Sequence, residues 1–391
     1  MTQTMTKLFK SLPFQLAVVL AGTLLFGDLV PTSLQSLAFA LSLAIKETLV
    51  FFLPFIVFTF LVSGLLAFHK AALKFILMVL GAVIVSNFLC TIVLFPLTFT
   101  DFFCLSCLNS GEGSTAAGLQ PLFTFKLPSL IANEVALMIG ALTGLIFAFF
   151  PSPSVSQGIH RLKAMINFGL SKLFIPLLPV FIFGFVLKLK SDGALGKIFM
   201  TYSPVFALMA LIMMVYIVLF YGLGAGFKPN TWMRHLKNMG PATLTAFSTM
   251  SSAATMPLTL KGAETNTTKP ELIQALIPAT VNIHLVGDGI GIPVLMMVIL
   301  GSFGMPMPSF ETFFQFTALF VMYKFAMATV PGGGILVMVP TLERVFGFTP
   351  EMVGLITALY IVFDPLITVT NVNGNGAFAT VFARLFGKRM A

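Results

Sequence analysis

Four ionisable side chains interrupt apolar stretches in the last third of the chain: His284, Asp288, Lys324 and Asp364. An ionisable group is costly in hydrocarbon, so such residues usually face a partner or a solute path. A carboxylate such as Asp364 can bind an ammonium group. His284 and Asp288 are four residues apart and would share a helical face, but a metal site would need at least a third ligand. We therefore expect no metal.

Each of these residues also has a structural interpretation. Asp364 precedes a proline and could be a solvated, helix-breaking aspartate. His284 could be a hydrogen-bonded histidine of the core, and Lys324 could extend its amine to the headgroups. Glu47 and Glu134 are interpreted as helix-end or intersubunit groups and are assigned no chemistry.

Composition places these residues in a membrane protein. Of 391 residues, 58% are hydrophobic and 9% are charged, and the mean hydropathy is +1.01, whereas soluble domains carry roughly a quarter charged residues. The net charge of +9 comes from lysines and arginines between apolar runs, not from one polar face. A nucleic-acid partner is therefore not expected.

The first part of the chain contains apolar runs that are each long enough to cross a hydrocarbon core of ~30 Å at ~1.5 Å per residue. They lie near residues 12–30, 48–68, 75–98, 130–151, 168–189 and 202–223. A cytoplasmic N-terminus places most of the 22 Lys and Arg residues inside, as the positive-inside rule requires. We expect a multi-pass protein of the plasma membrane, the inner membrane of a bacterium, with both termini in the cytoplasm.

Two later segments do not suit a helix that faces lipid. Segment 243–259 is rich in hydroxyl side chains and contains Pro257, and segment 327–340 contains Val-Pro-Gly-Gly-Gly, which must leave helical geometry. We interpret each segment as a re-entrant hairpin. A non-helical tip is tolerated at membrane depth only inside protein or beside an aqueous cavity.

Each hairpin is followed by a long apolar segment with polar interruptions, at 280–289 and at 364–375. The unit of a hairpin and a broken helix thus occurs twice. If the first hairpin enters from the cytoplasm and the second from outside, the two units have opposite topology. Inverted repeats of this kind are typical of secondary transporters with a site at the midplane.

The motifs of this region, taken in order, resemble the dicarboxylate/amino acid:cation symporter family of glutamate transporter homologues. The family has a serine-rich first hairpin, an Asn-Met-Asp-Gly-Thr break in its seventh helix, a Val-Pro-Gly second hairpin and an eighth helix ending in Asn-Val-x-Gly-Asp. The match spans about residues 240–385. The matching residues are Ser251-Ser252-Ala253-Ala254-Thr255-Met256-Pro257, Thr280-Val281-Asn282-Ile283-His284, Val330-Pro331-Gly332-Gly333-Gly334, and Asp364 with Asn371-Val372-Asn373-Gly374-Asn375.

The resemblance implies an all-α integral membrane protein with eight transmembrane helices and two re-entrant helical hairpins, arranged as inverted repeats in an elevator-type transporter. It implies a homotrimer as well. Residues 1–240 would hold mostly the scaffold and trimerisation helices one, two, four and five, with helices three and six of the transport domain. Residues 241–391 would form the core of the transport domain: hairpin 1 (about 241–262), helix seven (about 270–300), hairpin 2 (about 311–347) and helix eight (about 351–386).

The resemblance also implies a substrate site. The family's aspartate at the position of Asp364 holds the amino group of the substrate, and its asparagine at the position of Asn371 holds the α-carboxylate. Members that take acidic substrates carry an arginine where this chain has Met250 or Ile367, so a second carboxylate would be buried without a partner. We expect a neutral amino acid or a related carboxylate. The implied substrate-binding residues are Ser251, Ser252, Val330, Gly332, Asp364, Thr368 and Asn371.

Cation coupling departs from the family pattern. The seventh-helix aspartate of the family is His284 here, its last eighth-helix aspartate is Asn375, and a hairpin-arm hydroxyl is Lys324; with Thr280 and Asn282, these are the residues assigned to coupling. Imidazole and ammonium groups cannot supply the hard anionic oxygens that sodium prefers. We expect weak or absent sodium dependence, with Lys324 in the place of one cation and a proton as the coupling ion on His284. No cofactor is expected.

Three other functions are compatible with these segments. Polar hairpins also line channels for ions or anions, and a degenerate family member could bind solute without transporting it. An intramembrane hydrolase is the third, but the chain contains neither a G-x-S-x-G nor an H-E-x-x-H motif. Cys104 and Cys107 form a Cys-x-x-Cys pair, for which a disulfide, a redox role and inert thiols remain open.

Overall fold

The computed structural model describes residues 15–387 except 16–17, 20–21, 24, 67–72, 100–118, 129, 192–193 and 328–332. Within these residues the chain forms helices and no β-strand. The α-helices are α1 (Thr32–Leu66), α2 (Leu73–Ile92), α3 (Asn133–Phe149), α4 (Pro153–Gly169), α5 (Ile175–Ser191), α6 (Ala194–Ala225), α7 (Pro229–Asn238), α8 (Gly240–Thr249), α9 (Ser252–Glu264), α10 (Pro270–Thr280), α11 (Val286–Ser302), α12 (Phe310–Lys324), α13 (Gly333–Phe346) and α14 (Pro350–Phe386).

Several of these helices are apolar enough to cross a membrane. By length and composition, 4 described helices qualify, and up to 5 spans result if a pair bent by 52° is counted as one. The qualifying segments are Thr32–Leu66, Leu77–Phe99, Ser203–Ala225 and Pro350–Phe386, and the bent pair is Pro153–Phe174 with Pro179–Lys188. The all-helical membrane class is thereby confirmed. The count of eight spans and the domain division at residue 240 stay predictions.

Helix α1 begins well before the expected start of its span at residue 48. That start follows Lys46, which was expected near or within a span, and Glu47, which was expected at a helix end or between subunits. The Nζ atom of Lys46 lies 2.5 Å from Oε1 of Glu343 in α13, and Lys46 is buried. Because Glu343 compensates its charge, Lys46 can be buried within the apolar span of α1. The ion pair joins two helices that are remote in sequence.

Small residues let the helices of the first half approach closely. A Cβ atom at Gly184 of α5 would clash with the carbonyl oxygen of Ala38 and the hydroxyl of Ser42 in α1. The same hydroxyl lies 3.2 Å from the carbonyl oxygen of Val180 and forms a hydrogen bond across the interface. Such contacts are typical of helices packed within membranes.

Helices α8 and α9 form the first helix pair, which folds back on itself. The turn contains Met250, with a φ of 49°, and Ser251, whose hydroxyl accepts a hydrogen bond of 3.2 Å from the amide of Ala254. At the other end of the pair, Asn238 donates a hydrogen bond of 2.8 Å to Oδ1 of Asn266. The chain therefore leaves the first helix pair on the side where it entered.

Helices α12 and α13 form the second helix pair. The rings of Phe316 and Phe346 are in contact, with centroids 5.3 Å apart, so the end of α13 lies beside the first half of α12. The expected substrate residues Val330 and Gly332 lie outside the described residues, between these two helices.

The two long segments that follow the helix pairs differ from each other. After the first pair the chain forms α10 and α11 with a non-helical break from Val281 to Leu285, where an interruption was expected. After the second pair, α14 is continuous, so the expected second break is wrong. Pro365 removes one backbone donor, but the helix continues through it. The polar residues 364–375 lie on a regular helix.

The Lys46–Glu343 ion pair can be tested by changes of charge. We expect Lys46→Met to destabilise the protein by about 1–3 kcal/mol, less than the ~3–5 kcal/mol typical of fully buried pairs, because the Glu343 side chain is 31% exposed. The exchange Lys46→Glu with Glu343→Lys should recover part of the loss. The measurement is the melting temperature of the purified protein in detergent.

An exposed ion pair provides the control. Lys190 lies 2.9 Å from Asp28, whose side chain is 77% exposed, so Asp28→Asn should change the melting temperature little. Equal effects of Lys46→Met and Asp28→Asn would contradict the proposed importance of the Lys46–Glu343 pair.

Candidate solute and cation site

One face of α14 carries three polar residues expected to bind solute and one, Asn375, that was assigned to cation coupling. Asp364, Thr368, Asn371 and Asn375 are spaced by three or four positions, so they lie one above another on the helix, and all four are buried. The Thr368 hydroxyl donates a hydrogen bond of 3.3 Å to Oδ1 of Asp364. A carboxylate can accept several hydrogen bonds, so Asp364 keeps acceptor capacity for a ligand.

A second buried carboxylate, Asp288, joins α11 to this face. Asn371 donates a hydrogen bond of 2.7 Å to Oδ2 of Asp288, and the Tyr360 hydroxyl donates one of 2.5 Å to Oδ1. We call Asp288, Tyr360 and Asn371 the Asp288 cluster. The carbonyl oxygen of the Asn371 side chain also accepts a hydrogen bond of 2.8 Å from the Gly287 amide. Only one N–H of this side chain is left for a solute.

The Asp288 cluster was only partly expected from the sequence. Asp288 was among the four intramembrane ionisable groups, but it was not assigned to the site, and Tyr360 was missed. The available signal was the position of Tyr360, which precedes Asp364 by one helical turn on the face that also carries Thr368. His284 and Asp288 were expected to share a helical face. In the structure His284 lies in the break before α11 and binds a different partner from Asp288.

The C-terminal third of α2 presents a polar face that was not expected from the sequence. It consists of Ser86, Asn87, Cys90 and Thr91, and we call it the α2 polar face. Asn87 donates a hydrogen bond of 2.7 Å to the carbonyl oxygen of Ile283 and accepts one of 3.2 Å from the amide of Leu285. The sequence did contain a signal for this face: Ser86-Asn87 and Cys90-Thr91 are two polar pairs, four residues apart, within the apolar run 75–98.

Lys324 at the end of α12 points to the α2 polar face. Its side chain is completely buried, so the amine is inside the helical bundle and does not extend to the headgroups. The Nζ atom donates a hydrogen bond of 3.3 Å to Oδ1 of Asn87, lies 3.8 Å from Sγ of Cys90 and lies 4.7 Å from the centroid of the Phe320 ring. The positive charge also interacts electrostatically with Asp288.

His284 is buried between the α2 polar face and α14. Its Nε2 atom forms a hydrogen bond of 2.8 Å with the Ser86 hydroxyl, and its ring lies 4.4 Å from that of Phe378, centroid to centroid. Its Nδ1 atom has no hydrogen-bond partner among the described residues.

The remaining expected residues lie at several places. Thr280 donates a hydrogen bond of 2.7 Å to Oδ1 of Asn375, which joins the end of α10 to α14. Asn282 is half-buried in the break. Ser251 and Ser252 lie at the turn of the first helix pair, where Ser251 caps α9.

Within the described residues, no group of three His, Cys, Asp or Glu side chains could hold a metal ion.

Comparisons with known proteins bear on this arrangement. The family model described as the sodium:dicarboxylate symporter family matches residues 12–385. A serine/threonine transporter, SstT, of Acinetobacter baumannii is 24% identical over 379 residues, which cover 92% of this chain and 88% of that protein. An uncharacterized symporter of Haemophilus influenzae is 26% identical over 243 residues, which cover 60% of this chain and 53% of that protein. The family match thus includes the first half of the chain as well as the motifs.

The Asp288 cluster predicts that the hydroxyl group of Tyr360 contributes strongly to the stability of the protein. Tyr360→Phe should destabilise the protein by about 1.5–3 kcal/mol, because it removes a hydrogen bond to a buried charged group. Tyr221→Phe is the matched control, since Tyr221 is also completely buried and its hydroxyl has no hydrogen-bond partner among the described residues. Melting temperatures of both variants give the comparison. A loss for Tyr221→Phe as large as that for Tyr360→Phe would contradict the assignment.

Proposed function

Because the chain belongs to the sodium:dicarboxylate symporter family, and is therefore a multi-pass membrane transporter and not an enzyme, we propose that it carries a small neutral amino acid across the plasma membrane. The observation that carries the proposal is the position of Asp364. It is a buried carboxylate with a hydroxyl partner, one turn from Thr368 and two turns from Asn371. This arrangement suits the ammonium group of an amino acid.

The α-carboxylate of the solute needs neutral donors. The free N–H of Asn371 is one such donor. The N-terminus of α9, at Ser251 and Ser252, provides others, because the first amides of a helix have no partners within it. Val330 and Gly332 belong to the same proposed site through the family resemblance.

Two positions support a neutral solute. Acidic-substrate members of the family carry an arginine at one of them, and here they are Met250 and Ile367. Ile367 is completely buried and packs against the positions of Gly287 and Gly291 in α11. A second carboxylate on the solute would be buried without a cationic partner at either position. The relatives named serine/threonine transporters make serine and threonine the first solutes to test.

The transport mechanism we propose is alternating access of the elevator type. Both helix pairs fold back on themselves, and α8, α9 and α13 pack on α14, which supports two re-entrant hairpins around a central site. In the helix numbering of the family, helices three and six and the segments after residue 240 would move. Helices one, two, four and five of the family would form the fixed scaffold. We propose a homotrimer with both termini in the cytoplasm.

We further propose that transport depends little on sodium and uses a proton. At one family cation position, Asn375 forms a neutral hydrogen bond with Thr280, and an amide is a weaker sodium ligand than a carboxylate. At two other cation positions of the family this chain has Lys324 and His284, whose side chains carry nitrogen groups instead of oxygen ligands. With Asn282, these residues form the proposed coupling set, in which His284 carries the proton.

Solute specificity can be measured with the purified protein in liposomes. We expect saturable exchange of labelled serine that is inhibited by threonine or alanine but not by aspartate or glutamate. Asp364→Asn should weaken solute binding about 10–100-fold, which corresponds to the ~1.5–3 kcal/mol of a hydrogen bond to a charged group. Asp28→Asn is the control, because Asp28 is exposed and remote in sequence from the site.

Three outcomes of this experiment would contradict the proposal. Uptake of aspartate that neutral amino acids do not inhibit would exclude a neutral solute. An ohmic current without solute would indicate a channel. Binding without exchange would indicate a degenerate family member.

Coupling can be tested with gradients. Replacing sodium by choline should leave serine uptake unchanged, and an inward proton gradient should stimulate it. In His284→Gln the side-chain amide can still bind Ser86, so exchange at equilibrium should persist while stimulation by the proton gradient is lost. Ser86→Ala, which keeps the imidazole, should retain the stimulation. Steep sodium dependence that is insensitive to pH would refute this part of the proposal.

A further inference from the structure

We propose that Lys324 is a tethered cation in a binding site whose anionic member is Asp288, and that truncating this lysine creates a site for a free monovalent cation. The proposal deepens the sodium independence inferred above and rests on that function. It names Asp288 and the α2 polar face as parts of the site, and neither belongs to the coupling set assigned from the family resemblance.

The first observation is the isolation of the Lys324 amine from water. Lys324 is 0% exposed, and Oδ1 of Asn87 is its oxygen partner at 3.3 Å. An ammonium group has three N–H donors, and a buried charge requires compensation by an opposite charge. Neighbouring π electrons of Phe320 contribute to this compensation, but they carry no net negative charge.

The second observation is the position of Asp288. This carboxylate is 3% exposed and accepts hydrogen bonds from the neutral donors of Tyr360 and Asn371. Lys324 acts on it electrostatically, and Gly289, the next residue of α11, lies against the Lys324 amine. Asp364 is the other carboxylate nearby, and it repels Asp288. Lys324 therefore provides the positive charge that this part of the bundle requires.

The third observation is the close packing around the amine. A Cβ atom at Gly289, the residue after Asp288, would lie 2.5 Å from Nζ of Lys324 and 3.1 Å from Oγ1 of Thr91. The amine thus occupies the space that the absent side chain of Gly289 leaves. Gly334 of α13 similarly lies against the carboxylate of Asp288 and the hydroxyl of Tyr360. The amine and the carboxylate are both enclosed by residues of α2, α11, α12, α13 and α14.

Removal of the amine would leave a cavity with the ligands of a monovalent cation. The oxygens of Asn87 and Thr91 lie on one side, and the carboxylate of Asp288 provides the negative charge. Such a site would accept a small alkylammonium ion or sodium. Propylammonium has the same atoms that Lys324→Ala removes and is the best probe.

The test uses thermal unfolding of the purified protein without solute, so its result does not depend on transport. We expect Lys324→Ala to melt several degrees below the wild type in choline chloride. Propylammonium chloride at the same ionic strength should raise the melting temperature of the variant but not that of the wild type. Sodium chloride should have a smaller effect of the same sign.

Two further variants distinguish a charge effect from a packing effect. Asp288→Asn with Lys324→Ala should melt above Lys324→Ala in choline and should not respond to propylammonium, because residue 288 then carries no negative charge beside the space that the amine leaves. Lys163→Ala is the matched control. Lys163 also lies near an aromatic ring, that of Phe60, and binds the Ser63 hydroxyl. Its truncation should not create a propylammonium response.

The proposal is overturned if Lys324→Ala melts like the wild type in choline, or if propylammonium has the same effect on all variants. If Lys324→Ala does not fold, Lys324→Met with Asp288→Asn provides the same comparison with a longer apolar side chain. We expect this double variant to give more folded protein than Lys324→Met alone. If the loss of folded protein in the double variant equals the sum of the losses in Lys324→Met and in Asp288→Asn, the proposal is overturned. Failure of serine exchange with a normal propylammonium response would refute only the proposed function.

Discussion

The structure depends on the compensation of buried charges inside an apolar bundle. A charge without a partner is costly in such an environment, so buried ionisable groups favour particular helix neighbours. Lys46 in α1 requires Glu343 in α13. Lys324 in α12 interacts electrostatically with Asp288 in α11, and Asp288 in turn binds Tyr360 and Asn371 in α14. These contacts tie the second helix pair to both halves of the chain.

The break between α10 and α11 imposes a related requirement on the backbone. Where the helix stops, amides and carbonyls lose their partners, and at membrane depth they must find new ones inside the protein. A single side chain, Asn87, binds the carbonyl oxygen of Ile283 and the amide of Leu285. Its carbonyl oxygen also accepts from Lys324. The polar face of α2 is therefore required by the break as well as by the buried cation.

These requirements explain what the sequence could predict. Local signals were sufficient for the two helix pairs and for the break, because Gly, Pro and hydroxyl residues alter helical geometry wherever they occur. The partners of the buried charges have no local signal: Glu343 is 297 positions from Lys46, and Asn87 is 237 positions from Lys324. For the same reason the start of α1 was placed too late. Asp364-Pro365 suggested a break by its local sequence, but the surrounding packing keeps α14 continuous.

The balance of charge bears on the proposed link between solute and proton. Among the buried groups around Asp288, the charge of Lys324 offsets one carboxylate, and an ionised Asp364 would leave a net negative charge. A zwitterionic solute places its ammonium beside Asp364 but brings a carboxylate of its own, so the net charge of the site does not change. One added proton makes the loaded site neutral. Because a neutral site costs less to carry through a medium of low dielectric constant than a charged one, a proton that accompanies the solute fits this set of residues better than an uncoupled carrier does.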